Sequence, residues 1–192
     1  MNKFPRYNEY KALFFRIGLA YLFFMIARIL FFLYNIKLVN VDSLSEFVAL
    51  CYHGIAFDTT TIIYVNSLFI ILSVLPIVIN TKKGFQKFLF YLYFTTNLIV
   101  YSANFIDFIY YKYTFNRSTK ASLDTLQNES NKGSLFFNFL INYWHVFALF
   151  FLMAFLWIYL YKKVKVTVVE PKVSWRYFGT SLFGFLFIAT LC

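Results

Sequence analysis

The chain has 192 residues, of which 61% are hydrophobic, 24% aromatic and only 14% charged, with a formal net charge of +10. A soluble domain of this length has no interior large enough to hide 28 Phe and 16 Tyr, so the composition excludes an ordinary water-soluble globule and points to lipid as the solvent. The positive charge is no nucleic-acid signature, because its denser groups (Lys82, Lys83 and Lys87; Lys162, Lys163 and Lys165) flank apolar runs, where membrane topology accounts for them.

The basic N-terminus, MNKFPRYNEYKALFFR, leads into an apolar stretch over residues 12–34. That stretch exceeds a signal-peptide core and closes on no small-x-small cleavage site, so it predicts a retained first helix. Arg28 interrupts it. A charge inside a span is costly, and Arg28 reads as a side chain snorkelling to the outer interface. The functional alternative is a lipid-headgroup anchor or the partner of an acidic residue.

Next, Ser43-Leu-Ser-Glu46 has the form of a capping box and predicts a short interfacial helix over 47–53. Gly54 then allows a turn, and Asp58 is placed to cap a second span over 57–80, with Pro76 near its end. His53 and Asp58 lie five residues apart, which does not put two metal ligands on one helical face.

A third span is expected over 88–111. Asn104, Asp107 and Tyr111 share one face of it, and Arg117 follows in the long polar loop 112–134. These four residues make a candidate network that docks an outer loop or receives a phospholipid headgroup; the alternative is an interhelical clamp. A fourth span is expected over 136–161, with His145 beside Trp144 at an interface or packed. A fifth, over 175–192, is uncharged after Arg176 and shorter than the roughly 20 residues a bilayer requires. The reading is therefore the front part of a longer protein.

Placing the N-terminus, the 82–87 loop and the 162–176 loop on one side gathers twelve Lys and Arg residues against five on the other. The positive-inside rule puts the twelve in the cytoplasm and, after five spans, the C-terminus outside. The expected class is thus an all-α polytopic membrane protein with the lipid bilayer as a partner and no nucleic acid. No Ser–His–Asp order, HExxH, phosphate-cradling loop or carboxylate pair is present, so no residue is assigned a catalytic, cofactor-binding or metal-binding role.

Three sequence elements carry a resemblance: Ala27-Arg28-Ile-Leu-Phe-Phe-Leu-Tyr-Asn35, then His53-Gly-Ile-Ala-Phe-Asp58, then Asn104-Phe-Ile-Asp107-Phe-Ile-Tyr110-Tyr111 running on to Arg117-Ser-Thr119. In this order the chain resembles the membrane domain of the lipoteichoic-acid synthase family, in a variant similar to those of Bacteroidetes-type bacteria. These are sulfatase-like phosphoglycerol transferases of the alkaline phosphatase superfamily. The resemblance implies a five-helix anchor in the bacterial cytoplasmic membrane, followed by an extracytoplasmic α/β domain with a Thr or Ser nucleophile and a divalent metal, Mn²⁺ or Mg²⁺. None of those catalytic groups maps onto these 192 residues. Arg28, His53, Asp58, Asn104, Asp107, Tyr111 and Arg117 remain as candidates for docking that domain or a lipid headgroup. Two other classes stay open: a small transporter or channel subunit, and a noncatalytic membrane scaffold.

Overall fold

The computed structural model describes residues 7–39, 43–75, 82–117 and 132–165, together with Gly179 and Leu182. These residues are helical throughout apart from short turns, with no strand among them. Five helices follow one another: α1 (Tyr7–Tyr34), α2 (Leu44–Val74), α3 (Lys83–Thr114), α4 (Lys132–Asn142) and α5 (Trp144–Lys163). All but α4 are long and apolar enough to cross a membrane. At 1.5 Å per residue, the 31 and 32 residues of α2 and α3 reach about 47 Å. That exceeds the roughly 30 Å hydrocarbon core, so both helices tilt or run on past it.

Three sequence expectations are corrected. The interfacial helix over 47–53 is not a separate element, because α2 runs unbroken from Leu44 through Gly54 and Asp58. Asp58 therefore sits in mid-helix and caps nothing; the cap belongs to Ser43, whose Oγ accepts the Glu46 amide at 3.2 Å. The fourth span is split: α4 stops at Asn142, and Tyr143 turns the chain into α5, its carbonyl accepting the Val146 amide at 2.9 Å. The stretch expected as a fifth span, over 175–192, lies outside the described residues apart from Gly179 and Leu182. Pro76 lies outside the described residues; α2 ends at Val74.

The helices contribute to two compact units. One takes α1 up to Leu22, α2 from Phe57, α3 up to Asn97 and α5 from Ile158. Its interior is held by a reciprocal amide pair. Asn66 Nδ2 donates to Asn97 Oδ1 at 3.0 Å, and Asn97 Nδ2 donates to Asn66 Oδ1 at 2.7 Å, with both residues fully buried. Each amide also donates to a carbonyl one turn back, so the pair is satisfied without water. Arg16 is buried in the same unit. Both of its terminal nitrogens donate to Gln86 Oε1 at 3.2 Å, and its guanidinium lies 4.4 Å from the Tyr161 ring centroid.

The other unit takes α1 from Phe23, α2 up to Ala56, α3 from Leu98, α4, and α5 up to Trp157. Its core is aromatic. Phe23 stacks on Trp157 at 4.8 Å with the rings 2° from parallel, and Tyr101 meets Trp157 edge-on at 5.3 Å. Phe105 and Phe108 extend this packing along α3 at 4.8 Å. Ala27, one turn after Phe23 on α1, has no exposed surface. In both units large apolar side chains such as Phe14, Tyr64, Ile99 and Phe155 are exposed on the helix faces. A water-soluble bundle carries charge at such positions; a lipid-facing one does not.

Candidate functional site at the end of the third helix

The polar face anticipated on α3 is assembled, and the chain beyond the helix completes it. Asn104, Asp107 and Tyr111 recur at helical spacing, one above another. The helix stops at Thr114, whose hydroxyl donates back to the Tyr110 carbonyl at 3.0 Å. Phe115 then adopts a left-handed conformation, φ 55°, and its amide donates to the Tyr111 carbonyl at 2.9 Å. This is the usual helix-terminating geometry, built here on a phenylalanine where glycine is the cheaper residue.

The reversal carries Arg117 back along the helix. Its Nε donates to Asp107 Oδ2 at 2.7 Å and its Nη2 to Asn104 Oδ1 at 2.9 Å. The Asp107 side chain is 6% exposed and that of Arg117 is 52% exposed, so a half-open cation covers a buried carboxylate. The guanidinium also lies 5.6 Å from the Phe31 ring centroid, and Phe31 meets the Tyr111 ring edge-on at 5.2 Å. Asn35, buried just past the end of α1, donates to the carbonyls of Phe31 and Phe108 at 3.3 and 3.4 Å. Residues from two helices and the turn after α3 thereby fix one polar patch.

The remaining candidates lie elsewhere. Arg28 does not simply reach for the interface as expected: its Nη2 donates to the Gly54 carbonyl of α2 at 3.0 Å. Gly54 is buried, and that guanidinium occupies the space a Cβ at residue 54 would take. Its role is to accept Arg28 within a helix, and the expected turn is absent. His53 is exposed, with its ring 5.9 Å from that of Tyr52. Asp58 is half-buried and belongs to the other unit.

A second polar group went unread in the sequence. Tyr34 Oη and His145 Nε2 are 2.8 Å apart, and the Tyr113 and Tyr143 hydroxyls are 2.5 Å apart. Lys112 Nζ lies 4.0 Å from the Tyr34 ring centroid and 5.9 Å from that of Tyr143. His145 beside Trp144 was the sole local hint. Its partner stands 111 residues away, beyond the reach of any spacing argument. Among the described residues no three His, Cys, Asp or Glu side chains converge to hold a metal ion. Among the described residues the geometry offers cation and hydroxyl donors at helix ends, groups that can hold an anionic or polar group.

Comparison with protein-family models, curated proteins and solved structures returns no match for this chain.

Proposed function

We propose that these residues form the membrane-anchoring domain of a lipoteichoic-acid-synthase-like phosphoglycerol transferase or related sulfatase-like enzyme. In this reading the N-terminus is cytoplasmic, the membrane is the bacterial cytoplasmic one, and the α3 end faces outward. The anchor holds an extracytoplasmic catalytic domain at the outer leaflet. That domain supplies the nucleophile and the Mn²⁺ or Mg²⁺ site, and the anchor's own residues supply position.

One observation carries the reading beyond sequence likeness. The Asn104, Asp107 and Arg117 elements of the resemblance, thirteen residues apart at their extremes, meet in one hydrogen-bonded network. Such a network fixes the start of the 112–134 loop against the helix and leaves half of the Arg117 side chain open to an outer partner. Neither the transporter nor the scaffold reading gains a comparable observation.

The test is to read the gene past the codon for Cys192. A frame that continues into a sulfatase-like domain, with a Thr or Ser nucleophile and metal-binding Asp, Glu and His residues, supports the anchor. A stop codon at that point overturns it.

A further inference from the structure

One face of α3 remains unused by the Asp107 patch. Phe105, Ile106 and Ile109 of α3 and Val146, Phe150 and Phe151 of α5 line an almost wholly apolar groove of about 250 Å³. Pockets that enclose a whole small ligand run to roughly 300–1,000 Å³, so this groove suits part of a molecule, such as one hydrocarbon chain. One helical turn beyond Ile109, and one turn before Val146, the groove faces give way to Tyr113 and Tyr143. Their hydroxyls touch each other, and Lys112 lies over the Tyr143 and Tyr34 rings. Among the described residues, none of Tyr34, Lys112, Tyr113, Tyr143 and His145 contacts a carboxylate.

An apolar slot that ends in an ammonium and hydroxyl donors has the polarity sequence of a phospholipid, from acyl chain to phosphate. We propose that the α3–α5 groove binds one anionic glycerophospholipid, with an acyl chain along Ile106 and Ile109 and its phosphate at Lys112 and the Tyr113–Tyr143 pair. The charge of the cluster selects the anionic lipid. A zwitterionic headgroup brings an ammonium of its own, which would meet Lys112 and, among the described residues, no carboxylate. The polar end lies at the helix ends, and a bilayer places its headgroups at the ends of its spans. Lys and Tyr both suit this interface, because each has an apolar stem and a polar tip. This inference concerns the face of α3 away from Asp107, and holds whether or not an outer domain follows.

The experiment reconstitutes the 192-residue chain in vesicles of equimolar phosphatidylglycerol and phosphatidylcholine. The protein is then extracted in mild detergent, and retained lipid is counted by native mass spectrometry. One retained phosphatidylglycerol per chain is expected. Lys112→Gln is expected to lower that occupancy roughly tenfold or more, the effect of losing one charge-assisted contact. Ile106→Trp, at an exposed position, is expected to displace the lipid by filling the groove. Lys163→Gln removes a matched lysine, which lies 5.0 Å over Tyr159, and is expected to change nothing. Equal retention by wild type, Lys112→Gln and Ile106→Trp overturns the site. So does equal retention of the two lipids, or loss in Ile106→Trp with none in Lys112→Gln, since either outcome reduces the groove to nonspecific acyl contact.

Discussion

The guanidinium of Arg28 occupies the space that a side chain at residue 54 would fill, and donates to the Gly54 carbonyl at 3.0 Å. A glycine inside a helix ordinarily costs about 0.5–1 kcal/mol relative to alanine. Here the missing Cβ admits a charged head that would otherwise have to find a partner elsewhere within an apolar helix pair. The consequence is a substitution whose sign depends on a residue 26 positions away. Gly54→Ala should destabilise the wild-type protein by about 1–3 kcal/mol, because Arg28 loses its place and its carbonyl. In an Arg28→Leu background the same change should be neutral or stabilising, as helix propensity predicts. Thermal unfolding in detergent of the four proteins of this cycle measures the coupling. Additive effects would separate the two residues.

Arg117 and Asp107 make the second test. Removing Arg117 takes a 2.7 Å charge-assisted donor from a carboxylate that is almost fully buried, whereas removing the carboxylate leaves a half-exposed guanidinium that solvent can serve. Arg117→Ala should therefore cost more than Asp107→Asn, by about 1–2 kcal/mol, the scale of one hydrogen bond lost by a buried charged group. Their double variant should lie close to Asp107→Asn. In a longer enzyme, either change should also lower turnover through misplacement of the outer domain. Wild-type stability and turnover in Arg117→Ala would remove the patch from both roles.

The Asn66–Asn97 pair predicts a different pattern. Asn66→Leu leaves the Asn97 amide buried without its principal partner, a cost of about 1–3 kcal/mol in water-soluble interiors and nearer 0.6 kcal/mol on average within membranes. Leu at both positions removes both polar groups and should recover most of the loss. Denaturation of the single and double variants in the same detergent decides this. A double variant weaker than either single variant would mean that the pair contributes more than satisfaction of its own hydrogen bonds.

What could be read from the sequence divides along physical lines. The apolar middles of α1, α2 and α3 were legible because apolar run length is a one-dimensional property, although α2 starts at Leu44 rather than 57 and α3 runs beyond 88–111 at both ends. The Asn104–Asp107–Tyr111 face was legible because helical spacing is local. The placement of Arg117 was only half legible. Its loop position follows from the sequence, but its return onto Asp107 depends on the left-handed turn at Phe115, and phenylalanine gives no warning of that conformation. Gly54 and Asp58 misled for a related reason. Gly before a polar run is a turn signal only where no tertiary contact exploits the absent Cβ, and Arg28 does so here. The partnerships of Asn66 with Asn97 and of Tyr34 with His145 arise between segments distant in sequence, and the break at Tyr143 falls where no Gly or Pro announces it.

The Tyr113–Tyr143 contact makes the pH dependence testable. The hydrogen bond with Tyr113, followed by partial burial and the neighbouring phenols, pushes the Tyr143 hydroxyl up to about 12. An unperturbed tyrosine titrates near 10. Between those values the folded protein holds a proton that the unfolded chain releases, so Tyr143 contributes stability that is fully present below about pH 10 and is lost as pH rises toward 12. Tyr143→Phe should flatten stability across that window and leave it unchanged in slope near neutrality. Phenolate absorbance of wild type against Tyr143→Phe should show the missing tyrosine ionising at the high end of the titration. Tyr113→Phe should bring Tyr143 back toward its ordinary range, because the principal cause of the shift is gone. A wild-type difference titration centred near 10 would mean that the two hydroxyls do not hold each other in the membrane-embedded protein, and would weaken the phosphate-binding end of the α3–α5 groove along with it.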